Sequence, residues 1–358
     1  MKVAIIGTVG VPANYGGFET LVENMLTYKQ RKDVKYTIYC TSKAYKEHAK
    51  TYKEAKLVYL PIDAHGVQAM AYDSLSIIHS IRKNDILLLL GCSGSWILPI
   101  LKIFFKKKII LNIDGMDNKR EKFSSLKQKV LGKVRYIGAK QADTIIADNQ
   151  GIKDAVKELY NRDSVLIEYG GDQAIPIADD GTLTSKYGLT VGSYCFKVAR
   201  IEPENNIEMI LEAFSQMPDK KLVIVGNWNR SEFGKQMKEK YSNYPNLILL
   251  DPIYEPKALN MLRSNCGLYI HGHSVGGTNP SLVEAMSLGL PIVSYDVVFN
   301  RATTEDKCMY FNSVESLKDT VSNLSEAEIE RIAKDMKEVA QRRYTWKTIV
   351  SKYENLFK

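Results

Sequence analysis

Residues 271–296 read HGHSVGGTNPSLVEAMSLGLPIVSYD, and their polar groups suit a phosphate beside a diol. A short apolar strand, CGLYIH, runs into a glycine-rich turn. The turn feeds a helix expected to open at Pro280 or Ser281 and to carry Glu284 in its first turn. Unpaired amides and the positive end of the helix dipole collect at such a start, which favours an anion such as a diphosphate. A carboxylate one turn in cannot bind that anion, but it accepts hydrogen bonds from neutral hydroxyls such as those of a ribose. Phosphate and diol together describe a nucleotide or a nucleotide sugar. On this reading Glu284→Ala raises donor KM with little change in fold, since a first-turn glutamate is partly exposed.

Other groups extend the chemistry. The run VARI puts Arg200 at a strand's carboxyl end, where its fork of donors would neutralise a departing diphosphate; the alternative is a surface salt bridge with Glu202 or Glu204. The run KIILNI ends in Asp114, which is placed either to meet an acceptor hydroxyl and take its proton or to cap the next turn. Lys119 and Arg120 follow, and either pair with an acceptor phosphate or face water. Near the start, Gly16 and Gly17 stand just before a helix, where glycine lets backbone approach a ligand or simply makes the turn. His271 and His273 flank the phosphate-type turn, each as a donor contact or as a satisfied histidine at the edge of the core. There is no Walker A pattern, no GxSxG, no HExxH and no DxD, and the five cysteines lie far apart. No metal or other cofactor is expected; arginine and helix ends supply the positive charge.

These residues need a scaffold that brings strand ends together. Both halves of the 358-residue chain alternate short apolar strands with amphipathic helices, the pattern of α/β, doubly wound parallel sheets. Strands are predicted at 3–7, 36–40, 56–60, 85–90, 108–113, 143–147 and 164–168, then at 194–199, 221–226, 246–250, 267–271, 290–295 and 308–311. Helices are predicted at 18–28, 68–81, 119–140 and 150–160, then at 206–216, 232–241, 256–263 and 281–288, with two long ones closing the chain at 325–343 and 346–356. The stretch 169–188, rich in Gly, Pro, Asp and Ser, has no clear period and marks a boundary. The division is therefore 1–170, 171–343 and a final helical segment 344–358. Sheets of this kind bind ligands at the carboxyl ends of their strands, in the crevice between them.

Charge is unevenly placed. Residues 1–170 hold about 27 Lys+Arg against about 17 Asp+Glu, whereas the whole chain carries a net charge of +8. The segment SWILPILKIFFKKK (95–108) reads either as a face lying on an anionic bilayer or as a core helix followed by a solvated turn. No apolar stretch is long enough to span a bilayer, and the apolar start is too short for a signal peptide, so a cytoplasmic location is expected. No nucleic-acid reading module is present.

Taken together, VARIEPENNIEMILEAF, KLVIVG and GGTNPSLVEAMSLGLPIVSYD resemble the retaining family 4 glycosyltransferases of the two-domain GT-B fold. GTVGVPANYGGFETLVENM and FNRATTEDKCMYF resemble a bacterial subgroup that includes rhamnosyltransferases of capsule and rhamnan synthesis. The resemblance implies two Rossmann-like domains facing a central cleft, the second holding the nucleotide sugar, the first the acceptor, with the last helix crossing back to the first. It implies donor contacts from Gly16, Gly17, Arg200, Asn205, His273, Gly276, Gly277, Thr278, Asn279, Pro280 and Ser281, with Glu284 on the ribose. Asp114, Lys119 and Arg120 would receive the acceptor, and Asp114 and Arg200 are the catalytic candidates. The sequence departs from the wider family twice. The lysine expected five residues after Arg200 is Asn205, and the first of two glutamates eight apart is Gly276. Arg301 is a candidate replacement cation. The implied activity is transfer of a hexose, best L-rhamnose from dTDP-rhamnose or else a UDP-linked sugar, onto a polyprenyl-diphosphate-linked saccharide. The implied place is the inner face of the cell membrane, met through the basic first domain. The alternatives are a sugar-nucleotide epimerase on the same fold, or a non-catalytic binding component of a polysaccharide assembly complex.

Overall fold

The computed structural model describes residues 1–13, 16–66, 68–115 and 125–358. They form two compact units, Met1–Tyr169 with Trp346–Lys358, and Gly170–Thr345.

The first unit runs β1 (Lys2–Ile6), α1 (Gly17–Thr27), β2 (Lys35–Thr41), β3 (Thr51–Tyr52), β4 (Ala55–Leu60), α2 (Gln68–Ser80), β5 (Ile86–Leu90), a 3-10 turn (Ser95–Ile97), α3 (Leu98–Phe104), β6 (Lys108–Asn112), α4 (Ser125–Gln141), β7 (Thr144–Ala147), α5 (Gln150–Tyr160) and β8 (Val165–Leu166). Its sheet has the order β3-β4-β2-β1-β5-β6-β7-β8. Every pairing is parallel except the small β3–β4 hairpin. Central strands such as ILLLL of β5 are buried on both faces, which is why they read as unbroken apolar runs. The β3–β4 hairpin has no signal of that kind: its turn rests on left-handed Lys53 and Glu54. The strand expected at 164–168 shortens to two residues because the chain leaves the sheet, and Glu168 turns into the interior.

The second unit runs α6 (Thr182–Tyr187), β9 (Tyr194–Val198), a 3-10 turn (Pro203–Asn205), α7 (Ile207–Ser215), β10 (Lys221–Val225), α8 (Glu232–Tyr241), β11 (Leu247–Leu250), α9 (Pro256–Ser264), β12 (Leu268–His271), α10 (Pro280–Ser287), β13 (Ile292–Tyr295), α11 (Val298–Thr304), β14 (Met309–Phe311), α12 (Val314–Asn323) and α13 (Glu326–Arg343). The sheet order is β11-β10-β9-β12-β13-β14, all parallel. Ile207, Ile210, Leu211 and Phe214 of α7 pack with Ile224, Ile270 and Val293 into one core. Three helices escaped the sequence reading. α6 and α11 are too short to show a period, and the Asp179 carboxylate, rather than a periodic face, fixes the start of α6 by accepting from Leu183 N at 3.0 Å. α12 did carry a signal, the capping pair Ser313 and Ser316.

α14 (Trp346–Asn355) belongs to the first unit. Its Glu354, 2% exposed, accepts from the amides of Gln30 and Arg31. Tyr353 OH accepts from Asn112 Nδ2 at 2.9 Å, and Lys352 pairs with the buried Glu168 at 2.8 Å. Among the described residues no helix is long and apolar enough to cross a membrane.

Candidate functional site

In a doubly wound sheet the crevice opens where the strand order reverses. In the second unit that point lies between β9 and β12. β9 delivers Arg200 two residues past its end, and β12 delivers the turn over residues 272–279, so two of the groups singled out from sequence share one sheet edge. Arg200 is half-buried, and its guanidinium forms no ion pair among the described residues, which sets aside the bland pairing with Glu202 or Glu204.

The turn is held on both sides. Asn206 Nδ2 donates to Gly272 O at 2.8 Å, and Ser274 donates through N and Oγ to Glu204 O. Asn300 on α11 donates to His273 O at 2.8 Å and to Tyr295 O at 2.9 Å. Sequence reasoning missed Asn206 and Asn300; the doubled Asn after PE was the available clue to the first. Asn205 is buried, with Nδ2 donating to Arg200 O at 2.9 Å and Oδ1 facing His273 Nδ1 at 3.0 Å. Since the amide NH₂ is spent on a carbonyl, Oδ1 is the acceptor and His273 Nδ1 carries the proton. Each end of Asn205 thus holds a group of the protein, and the residue ties the Arg200 backbone to the turn. His273 Nε2 lies over Gly276, where a Cβ would stand 3.4 Å away, and Gly276 has φ +117°, which L side chains rarely adopt. His271 is different. It is 2% exposed, and burial, with Lys197 and His273 nearby, holds its ring well below the usual histidine range.

The start of α10 corrects the amide count. Pro280 has no N–H, and Asn279 Oδ1 accepts from both the amide and the hydroxyl of Ser281 at 3.0 and 2.8 Å. The next two amides, of Leu282 and Val283, donate to Asn279 O. The helix end is therefore closed by its own cap, and the amides left without an acceptor among the described residues are those of the turn itself, Gly276 and Gly277 with Val275 and Asn279 on either side. Thr278 beside them is buried.

Glu284 is also corrected. It is the fifth residue of α10, hence in the second turn. Its Oε2 is 2.6 Å from Arg263 Nη1, whose side chain is 3% exposed, and its Oε1 accepts from Gln173 Nε2 at 2.7 Å. Each carboxylate oxygen keeps a second lone pair, so a diol can still be accepted, but the side chain is not a loosely held surface group. Arg301 is not a spare cation: it pairs with Asp296 at 2.6 Å and Asp306 at 2.8 Å, and lies 4.2 Å above the Tyr310 ring. The Arg301 guanidinium keeps the Asp296 carboxyl below its usual range.

In the first unit the strand order reverses between β1 and β5. Residues 8–13 are wired to α1 by two glutamates: Glu19 accepts from Thr8 Oγ1 and Val9 N, and Glu23 from Ala13 N. Gly16 has φ +129°, and a Cβ there would overlap the Glu19 carboxylate, so this glycine has a structural requirement of its own. Gly17 is the first residue of α1. Asp114 stands two residues beyond β6 with a left-handed backbone (φ 61°), and its amide donates to Asn112 Oδ1. Lys119 and Arg120 lie outside the described residues.

Asp73 on α2 was missed. It lines a small recess with Gly7, Gly91 and Gly94 at the carboxyl ends of β1 and β5, and burial pushes its carboxyl up to about 7. Nothing in its local sequence marks it, because it faces glycines brought in by two other strands. The folded value lies above the unfolded one, so the native state keeps an extra proton between about pH 4 and pH 7, and the associated stability is lost as pH rises through that window. Asp73→Asn is expected to raise the melting temperature at about pH 8, by the equivalent of a few kcal/mol, with the gap closing towards about pH 4. Equal melting curves at the higher pH would contradict this.

Residues 192–343 match the family model for glycosyl transferases group 1, and residues 1–172 match that of a domain of unknown function, DUF1972. No curated protein matches the chain in sequence. Among solved structures, the sucrose-phosphate synthase of Thermosynechococcus elongatus superposes with a TM-score of 0.82 at 14% identity, over 99% of this chain and 98% of that one. HepE of Anabaena, in complex with UDP, gives 0.76 at 14% identity over 100% and 99%. A glycosyltransferase of Rickettsia africae gives 0.73 at 13% identity over 100% and 97%. The two parallel-sheet units are the Rossmann-like domains of the GT-B architecture, and the chain, whose residues 192–343 match group 1 of the glycosyl transferases, is a glycosyltransferase enzyme.

Proposed function

We propose that the enzyme takes a hexose from a nucleotide sugar bound by its second unit and transfers it, with retention of configuration, to a lipid-diphosphate-linked saccharide bound by its first. The observation that carries the donor half is the convergence of Arg200 with the Gly276 and Gly277 amides at the β9–β12 edge. The chemical need is to stabilise a departing diphosphate beside an oxocarbenium-like sugar, and preorganised donors at one edge meet it without reorganisation. Glu284 accepts from the ribose, and Asp114 handles the acceptor hydroxyl. No divalent cation has a part in this reading. L-rhamnose from dTDP-rhamnose is the favoured donor, on the strength of the subgroup-like segments near residues 7–25 and 299–311. HepE was solved with UDP-glucose, so UDP sugars belong in the test. A panel of dTDP-rhamnose, UDP-glucose, UDP-galactose, UDP-N-acetylglucosamine and GDP-mannose, assayed with a soluble lipid-sugar analogue and with chelator, decides the matter. Transfer from one donor that survives chelation supports the reading. Epimerisation without acceptor points to the epimerase, and binding without turnover to a non-catalytic component. Activity lost to chelator and restored by manganese removes the metal-free mechanism.

The lipid acceptor draws support from the first unit. Ile103 is 77% exposed and Phe104 71%, with Trp96 and Ile100 also exposed on the same short helical stretch. α3 packs against α4, whose Lys129, Val130, Lys133, Tyr136 and Ile137 line an open groove. Apolar side chains interleaved with lysines suit an anionic bilayer surface. Two lysines of the stretch are otherwise engaged, Lys102 with Asp143 and Lys108 with the carbonyl of Lys358. Ile103→Glu with Phe104→Glu is expected to reduce co-flotation with phosphatidylglycerol vesicles by about tenfold or more, leaving turnover of a soluble acceptor intact. Unchanged flotation would remove this surface from the membrane contact.

A further inference from the structure

We propose that Lys197 is a second cation for the donor diphosphate, reaching it from beneath the loop over residues 272–279. This rests on the donor site argued above and adds a group to it. Lys197 is the fourth residue of β9, paired with Ile224 of β10 and 1% exposed. Its ammonium makes no hydrogen bond and no ion pair among the described residues. A Cβ built on Gly272 would stand 3.1 Å from Lys197 Nζ and 2.3 Å from Asn205 O, so the amine lies where the end of β12 meets the turn after β9. Those are the two segments that Asn205 and Asn206 lock together. The next residues of the same loop carry the unengaged amides of Gly276 and Gly277.

Packing gives no reason for a lysine here. Its neighbours Cys195, Ile210, Ile224 and Ile270 belong to the apolar core, and a methionine would fill the same space without burying an amine. A buried amine with no counter-charge is explained by an anion that arrives from outside, and the adjoining unpaired amides call for the same ligand. Burial pushes the Lys197 ammonium down to about 7. The titratable groups on the segments around it are Tyr269 and His271 on β12, His273 on the loop, and Arg200, Glu202 and Glu204 on the turn after β9; α7 and β10 face it with Ile210 and Ile224, which do not titrate. Above neutral pH the empty site therefore holds Lys197 largely uncharged, and a diphosphate beside it restores the proton. Donor binding and proton uptake are linked through this residue.

Calorimetric titration of the full chain with UDP and with dTDP tests this, run at about pH 8 in two buffers of different protonation enthalpy. At that pH the free nucleotides are already fully ionised. The wild type is expected to take up close to one proton per diphosphate bound. Lys197→Met should abolish the uptake and weaken both diphosphates by about tenfold or more, with uridine and thymidine affinities unchanged. His271→Asn should retain the uptake, and Lys197→Arg, which stays charged, should bind without it. Diphosphate binding with no proton exchange in the wild type, or undiminished affinity in Lys197→Met, overturns the assignment while leaving the donor site standing. A wild type that binds neither diphosphate overturns both.

Discussion

Arg200→Ala is expected to lower kcat by two to three orders of magnitude, about 3–4 kcal/mol of barrier, while leaving the melting temperature within a degree or two. The two halves of that statement have separate origins. The large kinetic effect follows if the guanidinium meets charge that grows as the diphosphate departs, so that its loss is felt in the transition state more than in the bound donor. The small stability effect follows from the absence of any ion pair to Arg200 among the described residues and from its half-buried position. Its backbone carbonyl, which receives Asn205 Nδ2, survives the substitution. Stopped-time assays of kcat and donor KM, with thermal unfolding of the same preparations, check both parts. A drop in donor affinity with kcat unchanged would make Arg200 a ground-state binder only. A large loss of stability would make it structural.

Glu284→Ala is expected to cost about 3–5 kcal/mol of stability, because it strands a buried guanidinium. Arg263 is 3% exposed, its Nη1 lies 2.6 Å from the lost carboxylate, and its buried Nε has no acceptor of its own. The sequence alone suggested the opposite, a soft change with an intact fold, since the partner sits on α9 and nothing in the local pattern announces it. The ribose role and the ion pair are separated by replacing both partners: Arg263→Met with Glu284→Met should recover most of the stability while donor affinity stays low. If the double variant recovers donor affinity as well, the carboxylate has no part in binding the nucleotide. If Glu284→Ala unfolds at the wild-type temperature, the pair contributes nothing to stability.

These cases show what could be read in advance. Central strands such as Ile86–Leu90 were legible because parallel strands buried on both faces must be apolar throughout. The start of α10 was legible because Asn279 and Pro280 are a cap and a first-turn residue by chemistry, wherever the helix lies. What escaped depends on groups meeting across elements. Asp73 matters because Gly94, Gly7 and Gly91 come to it from other elements. Lys197 is a lone cation in an apolar strand, and no local pattern tells that its amine lies under Gly272. Asn205, expected at a ligand, also joins Arg200 O to His273, two partners that no spacing rule would have joined. Periodicity reports which face of an element is buried; it does not report what waits on the other side.

The return of α14 to the first unit has a bearing on biosynthesis. The half of the protein that leaves the ribosome first cannot complete its hydrogen bonding until residues 346–358 have been made, because Glu354 and Tyr353 accept from the amides of Gln30 and Arg31 and from Asn112 Nδ2. The second unit ends at Thr345. A chain cut after that residue should therefore keep a protease-resistant later half while the earlier-made one is digested.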